Sequence, residues 1–145
     1  MAYSILIVDD SLPMRSVIKR TLKTAGYGSS QFHEAGDGKE ALAIMKNGWI
    51  DIVITDYNMP VMNGMELIKT IKGDDLLKDI PVIVVSTESN DVKIKEFTDL
   101  GAGGYITKPF APETIRDLLI SILGEVDFDD DLDDSSNSED DDFDF

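Results

Sequence analysis

A doubly wound, five-stranded parallel α/β sheet is the fold class that the sequence predicts, and three observations carry the prediction. Five short apolar runs alternate with five stretches of helical periodicity over residues 3–123, and such alternation gives parallel strands joined by right-handed crossovers with helices on both faces. The run Ile52-Val53-Ile54 is β-branched throughout, as a buried strand is. Polar side chains fall just past the ends of these runs, where an open α/β sheet keeps its functional groups.

The elements follow in order. Tyr3 to Val8 is an apolar run that ends at Asp9-Asp10 and reads as the first strand. Ser11 can cap the next helix, and Pro13 suits its first turn, where a missing N–H costs nothing. Met14, Val17, Ile18, Thr21 and Ala25 recur at helical spacing, and Gly26 stops the helix. Phe32–Ala35 is a weak second strand. Asp37-Gly38 reads as a turn before a helix through Ala41, Leu42, Ile44 and Met45.

The central strand comes next and ends on Asp56, followed by a loop closed by Pro60 and Gly64. A helix from about Gly64 to Ile71 carries Leu67, Ile68 and Ile71 on its apolar side. Ile80–Ser86 is the most strand-like run in the chain, and its Pro81 must sit at the strand's start. Ser89 or Asn90 caps a helix that ends at Gly101. Gly104–Thr107 is a short strand, and Pro112 opens a last helix with Ile115, Leu118, Leu119 and Ile122 on one stripe.

Charge divides the chain in two. The net charge is −16, but residues 124–145 hold ten Asp, two Glu and no Lys or Arg. Removing those twelve from the 29 acids leaves 17 against 13 bases, a net of −4 over residues 1–123. The body is a mildly acidic domain. The tail, with dense like charge and few apolar groups, is expected to be disordered; its Phe128, Leu132, Phe143 and Phe145 among acids also match the pattern of disordered binding segments. No clustered basic face marks a nucleic-acid footprint. Cysteine is absent, which excludes disulfides, thiolate zinc sites and thiol nucleophiles. No signal-peptide pattern and no membrane-length apolar run occurs, so a cytoplasmic protein without membrane insertion is expected.

Asp9-Asp10, Asp56 and Ser86 stand at strand ends, and Lys108-Pro109 follows the fifth strand. In a doubly wound sheet the ends of strands one, three, four and five are neighbours, so these residues converge on one crevice. Two like charges ~4 Å apart repel by roughly 4 kcal/mol at the effective dielectric of a partly buried site. Three carboxylates therefore need a cation, and Lys108 offsets only one charge. A hard divalent ion completes the set, and magnesium fits, because it takes one or two carboxylates and keeps several waters. Such a centre suits phosphoryl transfer to a carboxylate. Asp56 is then the acceptor, Asp9 and Asp10 organise the metal, and Ser86 and Lys108 bind phosphoryl oxygens. A cis Lys108–Pro109 bond would aim the lysine.

Blander readings stand beside these. Asp9 and Asp10 can favour a helix N-terminus, Ser86 can be a turn hydroxyl, and Lys108 a solvated surface lysine. His33, the only histidine, reads as structural and rules out a multi-His metal site. Met59, Met62 and Met65 read as loop and core packing.

The pair in Ile-Val-Asp-Asp, the stretch Thr-Asp-Tyr-Asn-Met-Pro-Val-Met-Asn-Gly, Val-Val-Ser-Thr and Gly-Tyr-Ile-Thr-Lys-Pro-Phe together resemble the receiver domain of two-component response regulators. The resemblance covers about residues 3–123 and is nearest the single-domain chemotaxis type. It implies a flavodoxin-like sheet of strand order 2-1-3-4-5. It also implies phosphate transfer to Asp56 from a sensor histidine kinase, a phosphotransfer protein or a small phosphodonor. Magnesium would be bound by Asp10, Asp56 and the backbone carbonyl of Asn58, with Asp9 acting mostly through water. Tyr105 falls at the family's aromatic switch position, although an amphipathic edge residue is an equal reading. Asn58 and Glu88 fall at two positions that tune dephosphorylation.

On a rough helical wheel Val92, Phe97 and Leu100 share a stripe and Ile94 lies off it. Ile94 is therefore expected to be exposed, beside Tyr105 and the last helix, on the face that the family uses for partners. A monomeric, stand-alone receiver of residues 1–123 is expected, a phosphoacceptor rather than an enzyme, with output through an unknown downstream protein. An aspartyl-phosphate phosphatase shares the strand-end nucleophile but needs a second acid two residues on, where this chain has Asn58. A flavodoxin needs a hydroxyl- and glycine-rich loop after strand one, where this chain has Asp9-Asp10-Ser11-Leu12-Pro13. Within the receiver class, chemotaxis output and phosphorelay intermediate both stand.

Overall fold

In a computed structural model, described over residues 3–57, 59, 61–87 and 91–124, five strands form one parallel sheet. The elements run β1 (Ser4–Val8), α1 (Leu12–Leu22), β2 (Gln31–Ala35), α2 (Gly38–Asn47), β3 (Ile52–Asp56), α3 (Gly64–Lys72), β4 (Val82–Ser86), α4 (Asp91–Asp99), β5 (Gly104–Thr107) and α5 (Pro112–Leu123). The strand order is β2-β1-β3-β4-β5 and every pairing is parallel, as the doubly wound reading requires.

The alternation of side chains along a strand splits the core in two. Leu6, Val8, Val53, Val82 and Val84 face one way and bury Ala41, Met45, Leu67, Ile68, Ile71 and Phe97 from α2, α3 and α4. Ile5, Ile7, Ile52, Ile54, Ile83 and Val85 face the other way, onto Ile18 and Leu22 of α1 and Ile115 and Leu119 of α5. β3 and β4 are buried along their whole length because both faces are covered.

Local chemistry sets the helix ends. Ser11 caps α1, its hydroxyl accepting from the Met14 N–H at 3.3 Å. Asn63 and Glu66 form a reciprocal capping box at α3, with bonds of 2.9 and 3.0 Å. After Leu22, α1 widens into a π-type turn, Lys23–Tyr27, in which Gly26 takes φ 110°, a left-handed conformation that disfavours a side chain. At the far end of the sheet the Tyr3 hydroxyl donates to the Leu123 carbonyl at 3.4 Å, tying the start of β1 to the end of α5.

Several details differ from the sequence reading. β4 begins at Val82, because Pro81 has no N–H for the ladder; its carbonyl accepts from Val53. Asp37 is the cap of α2, and Gly38 is that helix's first residue rather than part of a turn. Val92, expected on the packed stripe, is 68% exposed, and Ile94, expected to be exposed, is half-buried. At about 100° per residue, Val92 lies about 140° from the buried Phe97 and Ile94 only about 60°, so Ile94 sits on the shoulder of the packed face. Met59 is buried, and Met62 and Met65 pack against the core. The expected caps Ser89 and Asn90, and the tail beyond Gly124, lie outside the described residues.

Candidate functional site

β1, β3 and β4 end side by side, so the residues at their C-terminal ends meet. Asp56 is the last residue of β3, paired in register with Val85, and it is 9% exposed. Asp9 follows β1 and is 1% exposed; its N–H donates to the Ala35 carbonyl, and its Oδ1 accepts from the Ser11 N–H at 2.9 Å. Asp10, next in the chain, is exposed. Oxygens of Asp9, Asp10 and Asp56 can lie within 4.8 Å of one another.

Lys108 reaches in from the end of β5. Its Nζ donates to Asp56 Oδ1 at 3.1 Å and to Asp9 Oδ2 at 3.5 Å, and its N–H donates to the Ser86 carbonyl at 2.7 Å. The Lys108–Pro109 peptide bond is cis. Ser86 ends β4 and is buried, 2% exposed. The structure thus brings Asp9, Asp10, Asp56 and Lys108 together, with Ser86 on the neighbouring strand end.

Burial pushes the Asp56 carboxyl above the ordinary carboxylate range; the bond from Lys108 opposes this and the Asp9 charge adds to it. At an effective dielectric of 20, each pair of carboxylates ~5 Å apart repels by roughly 3 kcal/mol. One ammonium cannot neutralise three such groups. The donor set, hard carboxylate oxygens from two neighbouring strand ends with Asp10 exposed to solvent, therefore fits a hydrated magnesium ion.

The loop after β3 is held close. A Cβ at Gly64 would come within 2.7 Å of the Asp56 carbonyl oxygen, so only glycine lets α3 start there. Val61, in the same loop, takes φ 70°, an unfavourable conformation for a β-branched residue. Asn58 and Glu88 lie outside the described residues, so their expected roles gain no geometry.

Sequence reasoning missed three supports. Arg15 donates through Nη1 to the Asp9 carbonyl and through Nε to Glu34 at 2.9 Å; Lys19 Nζ lies 2.7 Å from the same carboxylate. Together they hold the Glu34 carboxyl below its usual range. The Thr55 hydroxyl donates to the Asp56 carbonyl at 2.9 Å. Tyr57 packs edge-on against Phe97 with centroids 5.3 Å apart, and Phe97 meets the half-buried Tyr105 at 5.7 Å. Lys93 Nζ caps this row, 4.7 Å from the Tyr57 ring centre and 3.1 Å from its hydroxyl. The helical spacing of Lys93 and Phe97 was the available signal, but nothing in sequence ties them to Tyr57.

Comparison with known proteins agrees with this geometry. The model of the response regulator receiver domain matches residues 5–120. The chain is 42% identical over 119 residues to chemotaxis protein CheY-3 of Vibrio cholerae, covering 82% of this chain and 90% of that protein. It is 37% identical over 122 residues to chemotaxis protein CheY of Pseudomonas aeruginosa, covering 84% and 97%. The structure of chemotaxis response regulator CheY4 of Vibrio cholerae superposes with a TM-score of 0.75 at 36% identity, over 85% of this chain and all of that one. With the strand-end carboxylates, the lysine and the sheet order in place, the chain belongs to the response regulator receiver domain family.

Proposed function

We propose that Asp56 is the phosphoacceptor of this receiver, taking a phosphoryl group from the phosphohistidine of a sensor kinase or phosphotransfer protein. The observation that carries this reading is the placement of a buried acid at the end of the central strand, 3.1 Å from Lys108 and within a three-carboxylate cluster. An Asp56 carboxylate oxygen forms the new O–P bond as the donor's N–P bond breaks, and the leaving imidazole takes up a proton. The Lys108 ammonium moves from carboxylate to phosphoryl oxygen, and the Ser86 hydroxyl at the adjoining strand end binds another. Asp10, Asp56 and the Asn58 carbonyl would hold a magnesium ion, with Asp9 assisting, and the ion would supply positive charge for the phosphoryl oxygens. Asp9 also anchors Lys108 at 3.5 Å.

The reading is of a signalling phosphoacceptor with no separate substrate, cytoplasmic and monomeric, whose output is a protein contact on the α4-β5-α5 face. The row Tyr57-Phe97-Tyr105 supports that face, because it packs the residue after Asp56 against α4 and β5. Chemotaxis output is favoured over a relay role by the names of the similar proteins. Incubation with acetyl phosphate and magnesium, followed by mapping of the acyl phosphate, tests the acceptor. Labelling confined to Asp56 and lost in chelator is expected. Equal labelling of Asp56→Asn would sink the assignment.

A further inference from the structure

A groove of about 320 Å³ runs between α1 and the β5–α5 loop, lined by Met14, Val17, Ile18, Thr21, Pro109 and Phe110 together with Lys108 and Thr87. Its walls are almost wholly apolar, and Val17 on its rim is 43% exposed. The flank of the groove is positive. Residues 12–23 carry Arg15, Lys19, Arg20 and Lys23 and no acid. Glu34 takes up Arg15 and Lys19, while Arg20 and Lys23 face solvent outside that pairing. About 60° separates Val17 from Arg20 on the helix, so charge borders the apolar lining directly.

The chain itself holds a segment of matching chemistry. Residues 125–145 carry twelve acids, no bases and the apolar side chains Val126, Phe128, Leu132, Phe143 and Phe145. α5 brings the chain back to the end of the sheet opposite the carboxylates, where Leu123 is bonded by Tyr3. Tyr3 packs on Tyr27, centroids 6.1 Å apart, so the segment starts beside the turn that follows Lys23. From Leu123, Leu132 lies within about 30 Å of extended chain, and α5 spans only about 18 Å.

Other landing places on the domain are less suited. On α4, Lys95 pairs with Asp99 at 3.5 Å, and Lys93 is engaged with Tyr57 and Glu96. The groove beneath the exposed Trp49 and Leu76 is lined by Asp51, Asp74 and Asp79 against the single base Lys46, a net negative wall that repels an acidic segment. The outer face of α5 presents Glu113 and Asp117. A second copy carrying a net charge of −16 is repelled as well.

We propose that residues 125–145 dock in cis on the α1 groove, with their acids against Arg20 and Lys23 and Phe128 and Leu132 as apolar anchors. Because Lys108 lines the groove and its Nζ also bonds Asp56 at 3.1 Å, the docked segment flanks Asp56. It then hinders a bulky protein donor more than acetyl phosphate. Only this last consequence rests on the proposed phosphoacceptor function.

The absence of cysteine makes the test direct. A spin label on Ser136→Cys in the full chain is read through the amide signals of the isotopically enriched protein. Selective loss of signal at Val17, Arg20, Thr21 and Phe110 is expected in 50 mM salt. That loss should disappear in 500 mM salt and in an Arg20→Glu/Lys23→Glu variant, whose substitutions fall on exposed positions. Uniform or absent broadening overturns the proposal, as does broadening centred on α4 or Trp49. So does persistence in the charge-reversed variant. Mixing labelled, unenriched protein with unlabelled, enriched protein must give no broadening; the same pattern there would mean docking between copies. Failure of Asp56 to accept phosphate would leave this readout unchanged.

Discussion

Lys108 Nζ stands 3.1 Å from Asp56 Oδ1, although the two residues are 52 positions apart in sequence. The same ammonium reaches Asp9 at 3.5 Å. It is the only cation paired with the cluster's carboxylates among the described residues, so the balance of charge there depends on what else binds.

Magnesium should therefore stabilise the fold. Saturation at a hundredfold excess over Kd corresponds to about 2.7 kcal/mol, read as a higher Tm with magnesium than with chelator. Asp10→Asn should raise the Tm in chelator, by relieving repulsion, and should lose most of the magnesium response. An unchanged magnesium shift in this variant would exclude Asp10 as a ligand.

Lys108→Ala should fold yet fail to retain signalling activity when Asp56 is phosphorylated, and Lys108→Arg should not restore it. The planar guanidinium does not reproduce a compact ammonium between Asp9 and Asp56. Full activity of Lys108→Arg in a phosphorylation-dependent partner-binding assay would contradict the role assigned to Nζ.

Glu34 offers a test by pH. Its folded carboxyl is lowered by Lys19 and Arg15, so its contribution to stability is present above the ordinary glutamate range and lost as pH falls through the lowered value. Glu34→Gln should cost roughly 1 kcal/mol at neutral pH, a modest figure because the side chains are partly solvated. The gap should close in acid. Denaturant melts of both proteins at neutral and acid pH would show it.

The loop after Asp56 yields opposite outcomes at two positions. Gly64→Ala should destabilise by roughly 2 kcal/mol, since its Cβ meets the Asp56 carbonyl at 2.7 Å, and should slow phosphate uptake by moving the acceptor. Val61→Asn should stabilise by roughly 1 kcal/mol, because asparagine tolerates the φ of 70°. Thermal unfolding measures both, and a stabilised Gly64→Ala would refute the close approach.

The sheet was legible because its signals are local and repeated: β-branched runs, caps such as Ser11, stops such as Gly26. The site was legible for the same reason, since Asp9, Asp10, Asp56, Ser86 and Lys108 all sit where runs end. What escaped depends on angles and distances between elements. Val92 and Ile94 are a different case: an even step of about 100° per residue already sets Ile94 about 80° nearer the buried Phe97 than Val92, so the helical spacing held the answer. Arg15 reads as one more surface base until β2 places Glu34 beside it and Asp9 above. The left-handed Val61 has no signature at all, because valine is the residue least suited to that conformation.

The bond between the Tyr3 hydroxyl and the Leu123 carbonyl makes the described domain nearly a closed ring. Cutting the ring elsewhere and joining these ends should conserve every strand pairing, so circular permutants opened in an exposed loop such as Gly28–Ser30 are expected to fold. Cargo joined directly at Tyr3 or Leu123 would hang from the pole opposite Asp56, leaving a donor's approach to the acceptor clear. A permutant opened near Asp10 would instead place new chain ends at the acidic cluster itself, turning the position of the cut into a way of gating the site.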